Sequence, residues 1–271
     1  MSYSVLMSVY IKEKAEYLIE SMNSIFNQTV KTNDFVLVCD GPLNDELNNV
    51  ICDMKVKFGS TLNIIRLERN VGLGRALNIG LKQCKNDLVA RMDSDDVSFP
   101  NRCEKQLMVF KNNPSCTVVS GIVEEFENSI DNVINKRIVP ETNYDIIKFA
   151  KRRNPFNHPC VMYKKECIEK VGGYKDFYLL EDYYLWIRLI NNGFEGYNIQ
   201  EPLLYMRAGS GMYKRRGGIK YAISQIKLLL FMRRIKFISF FQFFMFTLSR
   251  IIVAIIPTSM RKIIFKMLLR S

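Results

Sequence analysis

Between residues 2 and 126, short apolar runs alternate with amphipathic stretches of helical period, and this alternation constrains the chain more than any other feature. SYSVLMSVY (2–10), DFVLVCDGP (34–42), LNIIRLER (62–69), DLVARMDSDD (87–96) and CTVVSGIVEEF (116–126) read as strands. EKAEYLIESMNSIFNQ (13–28) carries Ala15, Leu18, Ile19, Met22, Ile25 and Phe26 on one helical face. NDELNNVICDMKVKF (44–58), GLGRALNIGLKQC (72–84) and PNRCEKQLMVFKNN (100–113) predict three more helices, the last with Pro100 suited to its first turn. Continuous apolar strands separated by helices indicate an α/β fold whose mostly parallel central sheet is covered on both faces. Ligands of such sheets bind beyond the carboxyl ends of the strands. Tyr10, Asp40-Gly41 and the cluster Asp93, Asp95, Asp96 all stand at such ends, so a parallel sheet brings them to one crevice.

The aspartate cluster needs an explanation, because crowded carboxylates repel unless a positive group or solvent offsets them. In an extended segment residues i and i+2 point the same way, so Asp93 and Asp95 can face one ligand. Paired carboxylates suit a hard divalent cation, Mg²⁺ or Mn²⁺, which takes oxygen ligands and keeps waters or substrate phosphates in its other positions. The alternative is a solvated acidic turn ahead of the helix at Pro100. GLGRAL (72–77) starts like a dinucleotide fingerprint, but Leu77 stands at its third glycine and no acidic partner follows ~20 residues on, which excludes an NAD site. Arg75 and Asn78 either face a ligand or pack their helix on the sheet.

The net charge of +12 is divided unevenly. Residues 202–271 hold 14 Lys and Arg with no acid, whereas residues 1–201 balance 25 against 27 acids. A near-neutral body with a basic, apolar tail does not fit a nucleic-acid partner. Seven single cysteines without metal spacing, and an N-terminus lacking a signal-peptide pattern, imply reduced thiols in the cytoplasm.

Five ordered pieces resemble family-2 glycosyltransferases of the A-type, nucleotide-diphospho-sugar-binding fold. They are SVYIKE (8–13), VCDGP (38–42), NVGLGRALNIGL (70–81), the DxD-like RMDSDD (91–96) and EDYYLWIRL (181–189). The resemblance spans about residues 3–207. It implies an inverting hexosyl or N-acetylhexosaminyl transfer from a nucleotide diphosphate sugar, UDP-sugars first, with Mn²⁺ or Mg²⁺ as cofactor. Its metal ligands would be Asp93, Asp95 and Asp96, with Asp95 the main one. Its donor site would comprise Val9, Tyr10, Glu13, Asp40, Asn70, Gly72, Arg75, Arg91, Asp93, Ser94, Asp95 and Arg207, with Asp40 taking a base N–H. Its base would be Asp182, with Glu181 beside it; both also suit the positive end of a helix dipole. Ser8, Ile11 and Cys39 depart from the family pattern, and Ala208 stands where many members carry a histidine.

The single histidine, His158, lies in NPFNHPCVMY (154–163) and is either structural or directed to the acceptor or metal. Arg207, Lys214, Arg215 and Arg216 form a basic loop that either closes over a diphosphate or begins the tail. Residues 1–212 are thus expected to form the catalytic domain and 213–271 a C-terminal basic amphipathic helical tail. For the tail, helices lying on an anionic membrane surface are favoured over a span of 237–256, which Gln242 and Arg250 interrupt, and over a soluble helical subdomain. By analogy the acceptor is a lipid-linked glycan of a bacterial surface polysaccharide such as capsule or O-antigen, and the enzyme is peripheral to the cytoplasmic membrane face. The rivals are a sugar-phosphate nucleotidyltransferase, which should carry a Gly-rich basic loop after strand one where VYIKEKAEY has none, and a non-catalytic, membrane-peripheral glycan-binding protein.

Overall fold

The structure, a computed structural model, describes residues 1–208 and 218–255, with side chains to residue 250. The boundary expected at 212/213 and the residues Lys214, Arg215 and Arg216 lie outside the described residues.

The predicted alternation is present. In chain order the strands are β1 (Ser4–Val9), β2 (Asp34–Cys39), β3 (Leu62–Arg66), β4 (Leu88–Asp93), β5 (Val97–Ser98), β6 (Cys116–Phe126), β7 (Val133–Arg137), β8 (Met162–Lys164) and β9 (Glu195–Arg207). The helices are α1 (Ala15–Phe26), α2 (Asp45–Phe58), α3 (Leu73–Gln83), α4 (Arg102–Asn112), α5 (Asn143–Ala150), α6 (Lys165–Lys170), α7 (Glu181–Asn191), α8 (Ile219–Arg234) and α9 (Phe240–Ile255).

The sheet order is β3-β2-β1-β4-β8-β6-β9-β5, with β7 beside β6. Strands β1 to β4 are mutually parallel, and β6 and β9 run the same way; β5, β7 and β8 oppose them. Successive side chains of a strand enter opposite layers. Val5, Met7, Phe35 and Leu37 therefore meet α1, α2 and α4 on one face. Leu6, Val36 and Val38 meet α3, α6 and α7 on the other. α3 approaches so closely that a Cβ on Gly80 would fall 2.4 Å from Leu6 Cδ1, which only glycine tolerates.

Register fixes the crevice. Val9 pairs with Cys39 and Ser8 with Asp93, so the ends of β1, β2 and β4 share one edge, as their polar endings imply. The tail's first half is not separate from the body: Leu228, Leu229, Met232 and Ile238 join a third apolar cluster with Ala150, Leu180, Tyr183 and Ile187. Among the described residues no helix is long and apolar enough to cross a membrane.

Candidate active site

Strand period places Arg91 and Asp93 on the same face of β4, and their side chains pair through both guanidinium nitrogens. Arg91 is fully buried and is the positive offset for the aspartates. It is largely consumed by Asp93. Burial, Asp93 and Glu13 together push Asp95 up to about 7. Burial, then Asp95 and Asp93, raise Asp96 well above the usual carboxylate range. Asp96 is only 2% exposed, whereas Asp93 and Asp95 are partly open to solvent.

One oxygen from each of Asp93, Asp95 and Asp96 falls within 4.8 Å of the others. The second oxygen of Asp96 is buried without a hydrogen-bond partner. An all-oxygen set, an orphaned buried acceptor and carboxylates held at raised pKa together fit a hard divalent cation. His158 is not part of the cluster. It is buried, its Nε2 lies 2.9 Å from the Tyr174 hydroxyl, its ring meets Trp186 edge-on, and burial depresses its pKa well below the usual value. It is a neutral packing residue.

The loop carrying the aspartates is clamped from α1. Ser21 donates to the Asp93 carbonyl at 2.8 Å, Ser24 Oγ accepts the Ser98 N–H at 3.0 Å, and Gln28 donates to the Phe99 carbonyl at 2.7 Å. The readable sign of this clamp is the polar Ser21 and Ser24 within an apolar helix, followed by Gln28 just past its end. Ser94 donates to Glu13 at 2.5 Å, joining the turn after β1 to the cluster.

Arg207, expected to touch a donor, closes the cluster from behind. Its N–H donates to Asp96 at 2.9 Å, its Nε to the Asp95 carbonyl at 3.0 Å and its Nη2 to Glu20 at 2.6 Å. Its guanidinium lies 3.8 Å from the Tyr17 ring centre and 4.5 Å from that of Phe126. Arg207→Ala is therefore expected to lower the melting temperature by several degrees and Mn²⁺ affinity about 10–100-fold, the usual cost of losing an outer support. Arg207→Lys should not rescue it, because an ammonium cannot stack between two rings and donate in a planar fork. Unchanged melting and Mn²⁺ titration in Arg207→Ala would count against this positioning role.

On the other side of the crevice, Asp40 is buried and accepts the Val71 and Gly72 N–H groups at 2.7 and 3.1 Å, while Asn70 donates to its carbonyl at 3.1 Å. A Cβ on Gly41 would fall 2.6 Å from the Asn70 backbone nitrogen. The Asp40–Gly41 turn thus docks the start of α3, whose Gly72 takes φ +89°. Val9 is buried and Tyr10 is 40% exposed at the mouth. Arg75 is bound to Asp176 on the surface, and Asn78 clamps the backbone of Tyr174 with bonds of 2.6 and 2.8 Å, which resolves its alternatives in favour of packing.

Glu181 and Asp182 form the first turn of α7. α3 and α7 begin side by side, since a Cβ on Gly74 would lie 3.8 Å from Glu181 Cβ. Burial, and then Asp182, push Glu181 up to about 7, with Arg91 lowering it and Asp93 raising it to a smaller extent. Asp182 accepts from Asn154 Nδ2 at 2.6 Å and from the Tyr183 N–H at 2.7 Å. Asn154, unsignalled except as the polar residue before Pro155, orients the carboxylate.

The strand ends thus carry a crowded acidic cluster, and the start of α7 carries a carboxylate oriented by Asn154. The description Glycosyl transferase family 2 matches residues 4–172. An Escherichia coli UDP-Gal:alpha-D-GlcNAc-diphosphoundecaprenol beta-1,3-galactosyltransferase is 45% identical over 99% of this chain and 96% of its own. The amylovoran biosynthesis glycosyltransferase AmsE of Erwinia amylovora is 34% identical over 97% and 98%. Among solved structures, S. aureus TarS 1–349 with UDP-GlcNAc superposes with TM-score 0.66 at 16% identity, over 96% of this chain and 69% of that one. A Pyrobaculum calidifontis mannosyltransferase with GDP-Man and Mn²⁺ gives 0.64 at 14%, over 86% and 64%. The chain is a glycosyltransferase and belongs to glycosyl transferase family 2.

Proposed function

We propose that this enzyme transfers a hexose or N-acetylhexosamine from a UDP-sugar to a lipid-linked oligosaccharide during bacterial surface polysaccharide synthesis, with inversion at the anomeric carbon. The observation that carries this reading is the crowding of Asp93, Asp95 and Asp96 at the strand ends, together with the oriented Asp182 at the start of α7. Near end-to-end identity to the E. coli galactosyltransferase, whose name specifies UDP-Gal and a diphosphoundecaprenol acceptor, supports the donor and acceptor classes.

In this reading Asp93, Asp95 and Asp96 hold a divalent cation, which when bound neutralises charge on the departing diphosphate. The pocket between Val9, Tyr10, Glu13 and the Asp40–Gly72 turn receives the nucleotide. Arg91 and Arg207 keep the aspartates in place. Asp182 takes the proton from an acceptor hydroxyl as its oxygen bonds to the anomeric carbon and the sugar–phosphate bond breaks, its electron pair leaving with the nucleoside diphosphate. One in-line displacement of this kind inverts the centre.

The tail reading also remains a proposal. Phe240, Phe241, Phe244, Met245 and Leu248 of α9 are exposed along one helical face, while Phe243 and Phe246 pack toward the body. Exposed aromatics on an acid-free, basic segment suit insertion into an anionic cytoplasmic membrane face. Residues 1–212 would be the catalytic domain and 213–271 the membrane-facing part.

The test is a panel of UDP-, dTDP- and GDP-sugars offered to the full chain with an α-GlcNAc-diphosphate-alkyl acceptor, in Mn²⁺ or EDTA. One UDP-sugar should be consumed, with product formation lost in EDTA. Undiminished transfer in EDTA would sink the cation assignment, and use of a GDP- or dTDP-sugar alone would overturn the donor class.

A further inference from the structure

A concavity of about 240 Å³ is lined by Asp182 and by residues of the tail helices α8 and α9. Its lining includes none of Asp40, Asp93, Asp95 or Asp96, so it is not the nucleotide pocket. Arg137, Arg152, Arg153 and Arg250 converge on it, against two carboxylates, Glu125 and Asp182; Lys136 also lines it but is paired with Glu124.

These arginines come from separate elements. Arg137 ends β7, Arg152 and Arg153 follow α5, and Arg250 reaches in from α9 to donate to the Arg152 carbonyl at 2.6 Å. Among the described residues, Arg152 and Arg250 make no ion pair. Burial and then the charges of Arg250 and Arg152 depress Arg153, so the three cations lie close enough to act on one another. Gln225 of α8 lines the same cavity with its amide oxygen buried and unpartnered. The far wall is apolar: Leu228, Leu229 and Met232 of α8.

A concavity lined by arginines, by apolar side chains of α8 and by the oriented Asp182 carboxylate matches one ligand type, a sugar joined through a diphosphate to a lipid. Guanidinium forks match phosphate oxygens geometrically. We propose that Arg152, Arg153 and Arg250 bind the diphosphate of the acceptor and thereby place its sugar hydroxyl at Asp182. This rests on the lipid-linked acceptor proposed above and adds the site that recognises it. It also gives the tail a second duty: α8 and α9 complete the acceptor pocket as well as facing the membrane.

The experiment measures acceptor KM, donor affinity and melting for the full-length wild type, Arg152→Gln, Arg153→Gln and Arg153→Lys. The acceptors are α-GlcNAc-diphosphate-undecyl and the phosphate-free undecyl glycoside. The wild type should favour the diphosphate acceptor. Either glutamine variant should raise its KM about 10–100-fold, the range for losing a hydrogen bond between charged groups. Donor affinity and melting should stay the same, the preference for the diphosphate should shrink, and Arg153→Lys should fall between. Unchanged KM in folded glutamine variants would overturn the site while leaving the acceptor class standing. Donor hydrolysis by the wild type without transfer to either acceptor would overturn the acceptor class and the site with it. Sedimentation with phosphatidylglycerol vesicles supplies the last arm: glutamine variants that lose vesicle binding but keep acceptor KM would make the cluster a membrane headgroup site and overturn the proposal.

Discussion

Asp95→Asn is expected to reduce sugar transfer about 10²–10³-fold while leaving the ligand-free protein as stable as the wild type or more so. Two physical effects give these opposite signs. Asp95 is half-buried and crowded by Asp93 and Glu13, and burial first, then those charges, drive its pKa up to about 7. Arg91, the nearby cation, is already engaged by both oxygens of Asp93. Asparagine keeps the volume and removes a charge that folding does not welcome. The same charge is what a divalent cation requires, and loss of electrostatic stabilisation at a leaving group costs about 10²–10³ or more in rate. Transfer assays and thermal melts with and without Mn²⁺ check both halves. Mn²⁺ should raise the wild-type melting temperature through preferential binding to the folded state, and the variant should lose that increment. A variant that retains transfer within tenfold of wild type would remove Asp95 from the cation site.

Asp182→Asn is expected to lower kcat about 10²–10⁴-fold with donor affinity unchanged, the range for losing a positioned general base. In the proposed reaction Asp182, at the start of α7, serves the acceptor hydroxyl, so the loss belongs to the acceptor half. Its two oxygens accept from Asn154 and from the Tyr183 N–H. An asparagine there can satisfy one of these donors and must turn its own N–H₂ toward the other, so modest local loosening accompanies the lost base. Asn154→Ala separates the contributions: the base remains, its orientation is released, and kcat should fall less than in Asp182→Asn. Single-turnover kinetics with saturating donor reads the chemical step directly. Equal losses of donor affinity and kcat in Asp182→Asn would place the residue in donor binding instead.

The alternation that defines the fold is local information. An apolar run or a stripe of period 3.6 depends on neighbours a few residues away, so β1 to β4 and their helices follow from the sequence, and with them the meeting of Asp40 and Asp93 at one sheet edge. The acidic cluster was equally legible, since carboxylates cannot be packed so closely without a purpose.

Other features depended on partners far along the chain. Arg207, read as a donor contact, is fixed between Tyr17 and Phe126 and supports the aspartate loop from beneath. Arg75 is paired with Asp176 on the surface, and His158 is a neutral core residue against Tyr174 and Trp186. The three-residue β8 inserts between β4 and β6, too short to announce itself by period.

From sequence alone came the α/β class, the family resemblance, the aspartate cluster and the basic apolar tail. Only tertiary structure decided what each arginine does, which residue orients Asp182 and where the tail helices pack. The physical reason is the range of the forces involved. Backbone period and local charge crowding are written in adjacent residues, whereas the environment of a long cationic side chain is set by whichever remote elements the core happens to bring beside it.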